Sequence, residues 1–214
     1  SLVSVAPLKR DLASFFGWNY CLVTLSGLMA QLPIILLGRW RGPEEAGFYR
    51  LATSIASVGS YFESSLGRVA YPTLSARWGV GKRESIPGTL RRWTLRPGVP
   101  AGALLMVVVL FLPVVVPLAF GSVYRPVVPG AQVMIVGVSI GTMFFWLHAF
   151  YYASGSVKLW VKGYACYTTL VIALGWFAIR ETGFLGLAIL VAGGRIVFTS
   201  SMLALLPSVM GKRE

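Results

Sequence analysis

The chain has 214 residues, 56% hydrophobic and only 12% charged, with mean hydropathy +0.74 and net charge +12. That balance excludes an ordinary soluble domain and predicts a bilayer as the solvent. In a bilayer, a pI near 10.2 points to anionic lipid headgroups, and no nucleic-acid partner is expected.

A span needs roughly 20 mainly apolar residues, because about 30 Å of hydrocarbon is crossed at 1.5 Å per residue. Runs of this kind occupy 15–37, 46–74, 98–120, 127–153, 159–179 and 184–206. The ten-residue alternation of an outer-membrane barrel is absent, and an open sheet would leave backbone groups unpaired in lipid. The expected fold class is therefore all-α: a polytopic membrane protein with about six transmembrane helices in a single membrane domain, residues 1–214. The connections are short, with no linker and no water-soluble domain.

The first run carries Tyr20, Thr24, Gly27 and Gln31 on one face and Pro33 late in the span. Such a face either packs helices or lines a cavity. It ends in "GRWRGPEEAGFYRLA" (38–52), whose glycines and Pro43 predict a hairpin, with Glu44 and Glu45 favourably near the next helix N-terminus.

The second run is polar along one side. Arg50, Ser54, Ser57, Tyr61, Ser64 and Arg68 recur at alternating spacings of three and four, which places them on one helical stripe. Charged groups at membrane depth usually face a cavity or a partner. The stripe is accordingly expected to line a cavity. Glu63 falls off it and needs a neighbouring helix or a snorkelled position.

Residues 75–97, "RWGVGKRESIPGTLRRWTLR" and its flanks, concentrate Arg77, Lys82, Arg83, Arg91, Arg92 and Arg96 with Trp78 and Trp93. They read as a basic interfacial helix pair, either a solvated loop or a site for lipid phosphate or another polyanion. The third run contains Pro113 and Pro117 one turn apart; these, like Pro33, favour kinks of the sort seen in alternating-access carriers.

The fourth run holds Gln132, Ser139, Thr142 and Trp146 and ends in "FFWLHAFYY", where His148 is expected to pack among aromatics rather than relay protons. In the sixth, Arg195 stands near mid-membrane in "VAGGRIVFTSS". It can pair with Glu63, or attract an anionic group such as phosphate with its planar fork of donors; the residues leave both open.

Lys and Arg distribute unevenly over the connections. Lys9, Arg10, the six of 75–97, Lys158, Lys162, Lys212 and Arg213 fall on one side, against Arg39, Arg41, Arg50, Arg125 and Arg180 on the other. Positive-inside bias then places both termini in the cytoplasm and the 38–52 hairpin outside. Cys21 and Cys166 lie in separate apolar runs, so neither a disulfide nor a metal site is expected. No charged leader with a cleavage site is present, and Ser1 in place of Met predicts a piece of a longer chain. With one histidine, few carboxylates and no nucleophile elbow, Walker loop or zinc spacing, no enzyme and no cofactor are expected.

The order of motifs resembles a known family. "ILLGRWRGPEEAGFYRLA" is similar to the "LLLGRFLGPEAVGLYSVA" type of junction of the polysaccharide flippases, lipid-linked oligosaccharide exporters of the multidrug/oligosaccharidyl-lipid/polysaccharide exporter superfamily. "RVAYPTLS", "FGSVYRPVVPGAQVM", "YYASGSVKLWVKG" and "RETGFLGLAIL" then resemble later motifs of that family in the same order.

The resemblance runs from about Leu8 to Leu206 and covers only the C-terminal half of such a transporter. It implies one six-helix lobe of a two-lobe carrier, whose second lobe comes from the same longer chain or a partner subunit. The implied cargo is a polyprenyl-diphosphate-linked anionic glycan exported across the bacterial inner membrane for cell-surface polysaccharide such as lipopolysaccharide O-antigen.

Arg68 and Arg195 are the expected anionic-substrate contacts, with Arg50, Ser57, Tyr61 and Ser64 lining the path and membrane lipids as further partners. The chain departs from the family at Pro33 and Ile34, at Val171 and Gly175, and at Arg195, which replaces a frequent glutamate. These changes weaken any cation-coupling role for acids. Two other readings are a cation-coupled multidrug or small-molecule antiporter of the same superfamily and a non-transporting scaffold for glycan assembly.

Overall fold

The computed structural model describes residues 6–81 and 83–211, of which 6–12 and Ser14 are described as backbone only. Lys9, Arg10, Lys82, Lys212 and Arg213 of the expected cytoplasmic charge therefore fall outside the described residues or side chains. The order is α1 (Ala6–Trp40), α2 (Pro43–Gly79), α3 (Ile86–Trp93), α4 (Val99–Phe120), α5 (Val127–Met143), α6 (Trp146–Ala153) and α7 (Val157–Met210). Single turns join several of them, and among the described residues there is no strand. The all-α expectation holds.

Three helical stretches are long and apolar enough to cross a bilayer: Phe15–Trp40, Arg83–Phe120 and Val157–Met210. A fourth is obtained if α5 and α6, bent by 47° at their junction, are one broken span. These long apolar helices point to a membrane-embedded protein. The outward surface agrees: Leu110, Val114 and Leu118 of α4 are 74%, 67% and 84% exposed, the reverse of what water would tolerate on a continuous helix face.

The six expected runs fall on helices with changed outlines, and only three or four of the resulting segments are long and apolar enough to cross. The second is α2, long enough at 37 residues but too polar to count as apolar, because Arg50, Glu63, Arg68 and the serines interrupt it. The fourth breaks at Phe144–Phe145 with no proline in the break. The fifth and sixth are the two arms of α7, which turn at Gly183 (φ 64°, ψ −142°). The arms run antiparallel. The Tyr167 hydroxyl donates to the Val191 carbonyl (3.1 Å), and the Trp160 and Phe198 rings lie 4.9 Å apart. The expected interfacial pair at 75–97 is also redrawn, since α2 continues through Gly79 and α3 supplies the rest.

Residues 38–52 clamp this turn. Arg41 donates from Nε to the Ile179 carbonyl (2.9 Å) and from its guanidinium to that of Arg180 (2.6 Å), satisfying carbonyls that end the first arm. Glu45 accepts the Phe184 backbone N–H (2.8 Å) where the second arm begins, so its carboxylate meets the positive end of that helix. Arg41→Ala is expected to lower stability by about 1 kcal/mol. In a thermal melt in detergent this reads as a fall of roughly 2–4 °C.

Two apolar cores flank the middle of the bundle. One gathers Leu37, Phe48, Ala52, Ile179 and Phe184 behind the clamp. The other gathers Leu74, Ile86, Leu90, Phe150 and Tyr151 beneath α3. The apolar face of α3 is thus turned into the protein, while Arg91, Arg92 and Arg96 stay exposed. Arg77 donates to the Thr89 hydroxyl and the Arg83 guanidinium sits 4.7 Å above the Trp78 ring, tying α3 to the end of α2.

Candidate functional site: a two-chambered cavity

Between the two cores the helices part. A chamber of about 910 Å³ is walled by α1, α2, the α5–α6 break and both arms of α7. A smaller one of about 460 Å³ adjoins it, and Ser26, Ser60, Tyr164, Tyr167 and Arg195 belong to both. Both volumes fall in the range of roughly 300–1,000 Å³ typical of small-molecule sites.

Arg195 stands at the junction and forms an ion pair with Glu63 of α2. Their side chains are 29% and 31% exposed, which leaves both within reach of a ligand. Gly141 makes the geometry possible, because the Arg195 guanidinium lies across its backbone: a Cβ there would stand 2.8 Å from Nη2 and 3.0 Å from Nε. Of the two roles the sequence left open for Arg195, the pair with Glu63 is the one formed. Each charge answers the other at a depth where a lone charge is costly. Arg195 nevertheless lines both chambers, so its charge is met by Glu63 while its remaining N–H groups stay open to a ligand.

Arg68 and Ser64 line the larger chamber and Ser57 the smaller. Arg68 has no hydrogen-bond or ion-pair partner among the described residues. Arg50 and Tyr61 line neither of these two chambers, and Tyr61 is 70% exposed. The reason is the rotation of α2. Its buried side is Phe48, Ala52, Ala56, Gly59, Ala70 and Leu74, and the cavity meets the helix through Ser60, Glu63 and Gly67. Part of the polar stripe reaches inside, Ser54 and Ser57 at the smaller chamber and Ser64 and Arg68 at the larger; Arg50 and Tyr61 do not.

The opposite wall was not foreseen. Tyr152, His148, Trp160, Phe198 and Tyr164 form a chain of ring contacts. His148 packs 4.3 Å from the Tyr152 ring and 5.2 Å from the Trp160 ring, in keeping with the packed role expected for it. The available signal was the spacing of Trp160, Tyr164 and Tyr167 at i, i+4 and i+7, one face of a helix, which reads equally well as ordinary apolar span.

Among the described residues no group of three or more His, Cys, Asp or Glu side chains gathers as a metal site, and Cys21 and Cys166 are free and exposed. No family model, curated protein or solved structure matches the chain.

Proposed function

We propose that this chain is one six-helix lobe of a transporter that moves a polyprenyl-diphosphate-linked glycan across the bacterial inner membrane by alternating access, without covalent chemistry. The observation that carries the reading is the large chamber among long apolar helices that holds Arg68 with no counterion among the described residues. Arg68 is exposed at the chamber wall, open to an anion that comes and goes, and a guanidinium fork matches a diphosphate in shape and charge.

In this reading both termini are cytoplasmic, and a second lobe covers the exposed polar stripe of α2. Glu63 bears on the antiporter alternative. Proton or cation coupling needs an acid free to bind the ion, and this one is held by Arg195.

Arg68→Ala in the complete transporter is expected to cut surface glycan about tenfold or more at unchanged membrane level. That is the loss of one charge-assisted contact of roughly 1.5–3 kcal/mol. Arg68→Lys should retain part of the export. Full export by Arg68→Ala would overturn the reading and favour a scaffold.

A further inference from the structure

We infer that the smaller chamber receives a neutral pyranose unit of the cargo, so that sugar and diphosphate are recognised in different places. The inference takes its source of sugar from the transport reading and its location from hydrogen-bond chemistry.

The hydroxyls of the chamber fall into two sets. Ser26, Thr53, Ser54 and Ser57 donate to carbonyls of their own helices at 2.7–2.9 Å, and Tyr167 donates to Val191. Their O–H groups are used, and what remains is lone pairs. Tyr49, Ser60 and Tyr164 make no hydrogen bond among the described residues and keep both a donor and an acceptor. Arg195 keeps spare N–H groups after binding Glu63.

A fully ionised phosphate only accepts, so it would leave the lone pairs of Ser26, Thr53, Ser54, Ser57 and Tyr167 unanswered, and the Arg195 charge is already met by Glu63. A polyol both donates and accepts at every hydroxyl, so it suits the mixture. Tyr164 and Tyr167 add ring surface, on which the C–H faces of a pyranose pack by dispersion. The same lone pairs suit an alkali cation in part, but the O–H groups of Tyr49, Ser60 and Tyr164 and the spare N–H groups of Arg195 are donors for which a cation has no use.

The test uses the complete purified protein in detergent and ligand-observed saturation-transfer NMR. The probes are glucose, galactose, N-acetylglucosamine and rhamnose, with inorganic pyrophosphate and sodium chloride as competitors. At least one pyranose is expected to bind and to resist both competitors. Tyr49→Phe, which removes a hydroxyl of the smaller chamber only, should weaken that binding about fivefold, the worth of one hydrogen bond, and Ser60→Ala should act in the same direction should the tyrosine variant fold poorly.

Absence of binding by all four sugars, displacement by pyrophosphate or sodium, or unchanged affinity in both hydroxyl variants would overturn the inference. Sugar binding combined with full export by Arg68→Ala would sink the transport reading alone. Export dependent on Arg68 without sugar binding would sink the inference alone.

Discussion

Glu63→Ala and Arg195→Ala are each expected to destabilise the folded protein by about 2 kcal/mol, and the double substitution by clearly less than the sum. Removing half of a fully buried pair costs roughly 3–5 kcal/mol because the survivor stays charged without a partner. Here both side chains are about 30% exposed, and solvent reaching them through the chamber reduces the figure. Each single variant strands a charge between helices, whereas the double variant leaves a neutral cavity. A double-mutant cycle on unfolding in detergent measures the coupling directly. If the two effects simply add, the pair does not hold α2 to α7. Glu63→Gln sharpens the functional consequence, since it releases Arg195 and should raise affinity for inorganic pyrophosphate.

The second large effect is expected at the turn of α7. Gly183 has positive φ (64°), a conformation costing other residues about 1–3 kcal/mol. A Cβ would also press on the Glu45 carboxylate, with Cδ and Oε1 both at 2.9 Å. Gly183→Ala therefore meets strain and collision together and is expected to lower stability by about 3 kcal/mol. Loss of monodisperse protein after detergent extraction, or a thermal midpoint lowered by roughly 6–12 °C, would report it. Gly42→Ala separates the two causes. It too has positive φ (95°), but nothing stands within 4 Å of its added Cβ, so it should cost only the strain.

These two predictions stand on features of unequal legibility. The apolar runs were visible because bilayer thickness sets a length, and length survives in a bare sequence. The ion pair was visible as one of two options because charges at depth must be answered. The orientation of α2 was not. Helical arithmetic gives the angle between Arg50 and Arg68 but not the direction in which both face, which depends on where α5 and α7 pack. Hence Ser57, Ser64 and Arg68 reach the chambers while Arg50 and Tyr61 do not. The break at Phe144–Phe145 carries no proline and is imposed by packing rather than by local preference. The turn at Gly183, by contrast, falls in the gap between the runs 159–179 and 184–206 and uses a glycine's positive φ.

The clamp formed by residues 38–52 also bears on the order of assembly. Arg41 and Glu45 bind residues 138 and 139 positions further along the chain, and contacts of such separation form late. The guanidinium and the carboxylate of the first hairpin therefore stay unengaged until the last hairpin has been made and has packed against it. The clamp is thus a completion latch: a chain truncated before Phe184 would leave Glu45 without its backbone N–H.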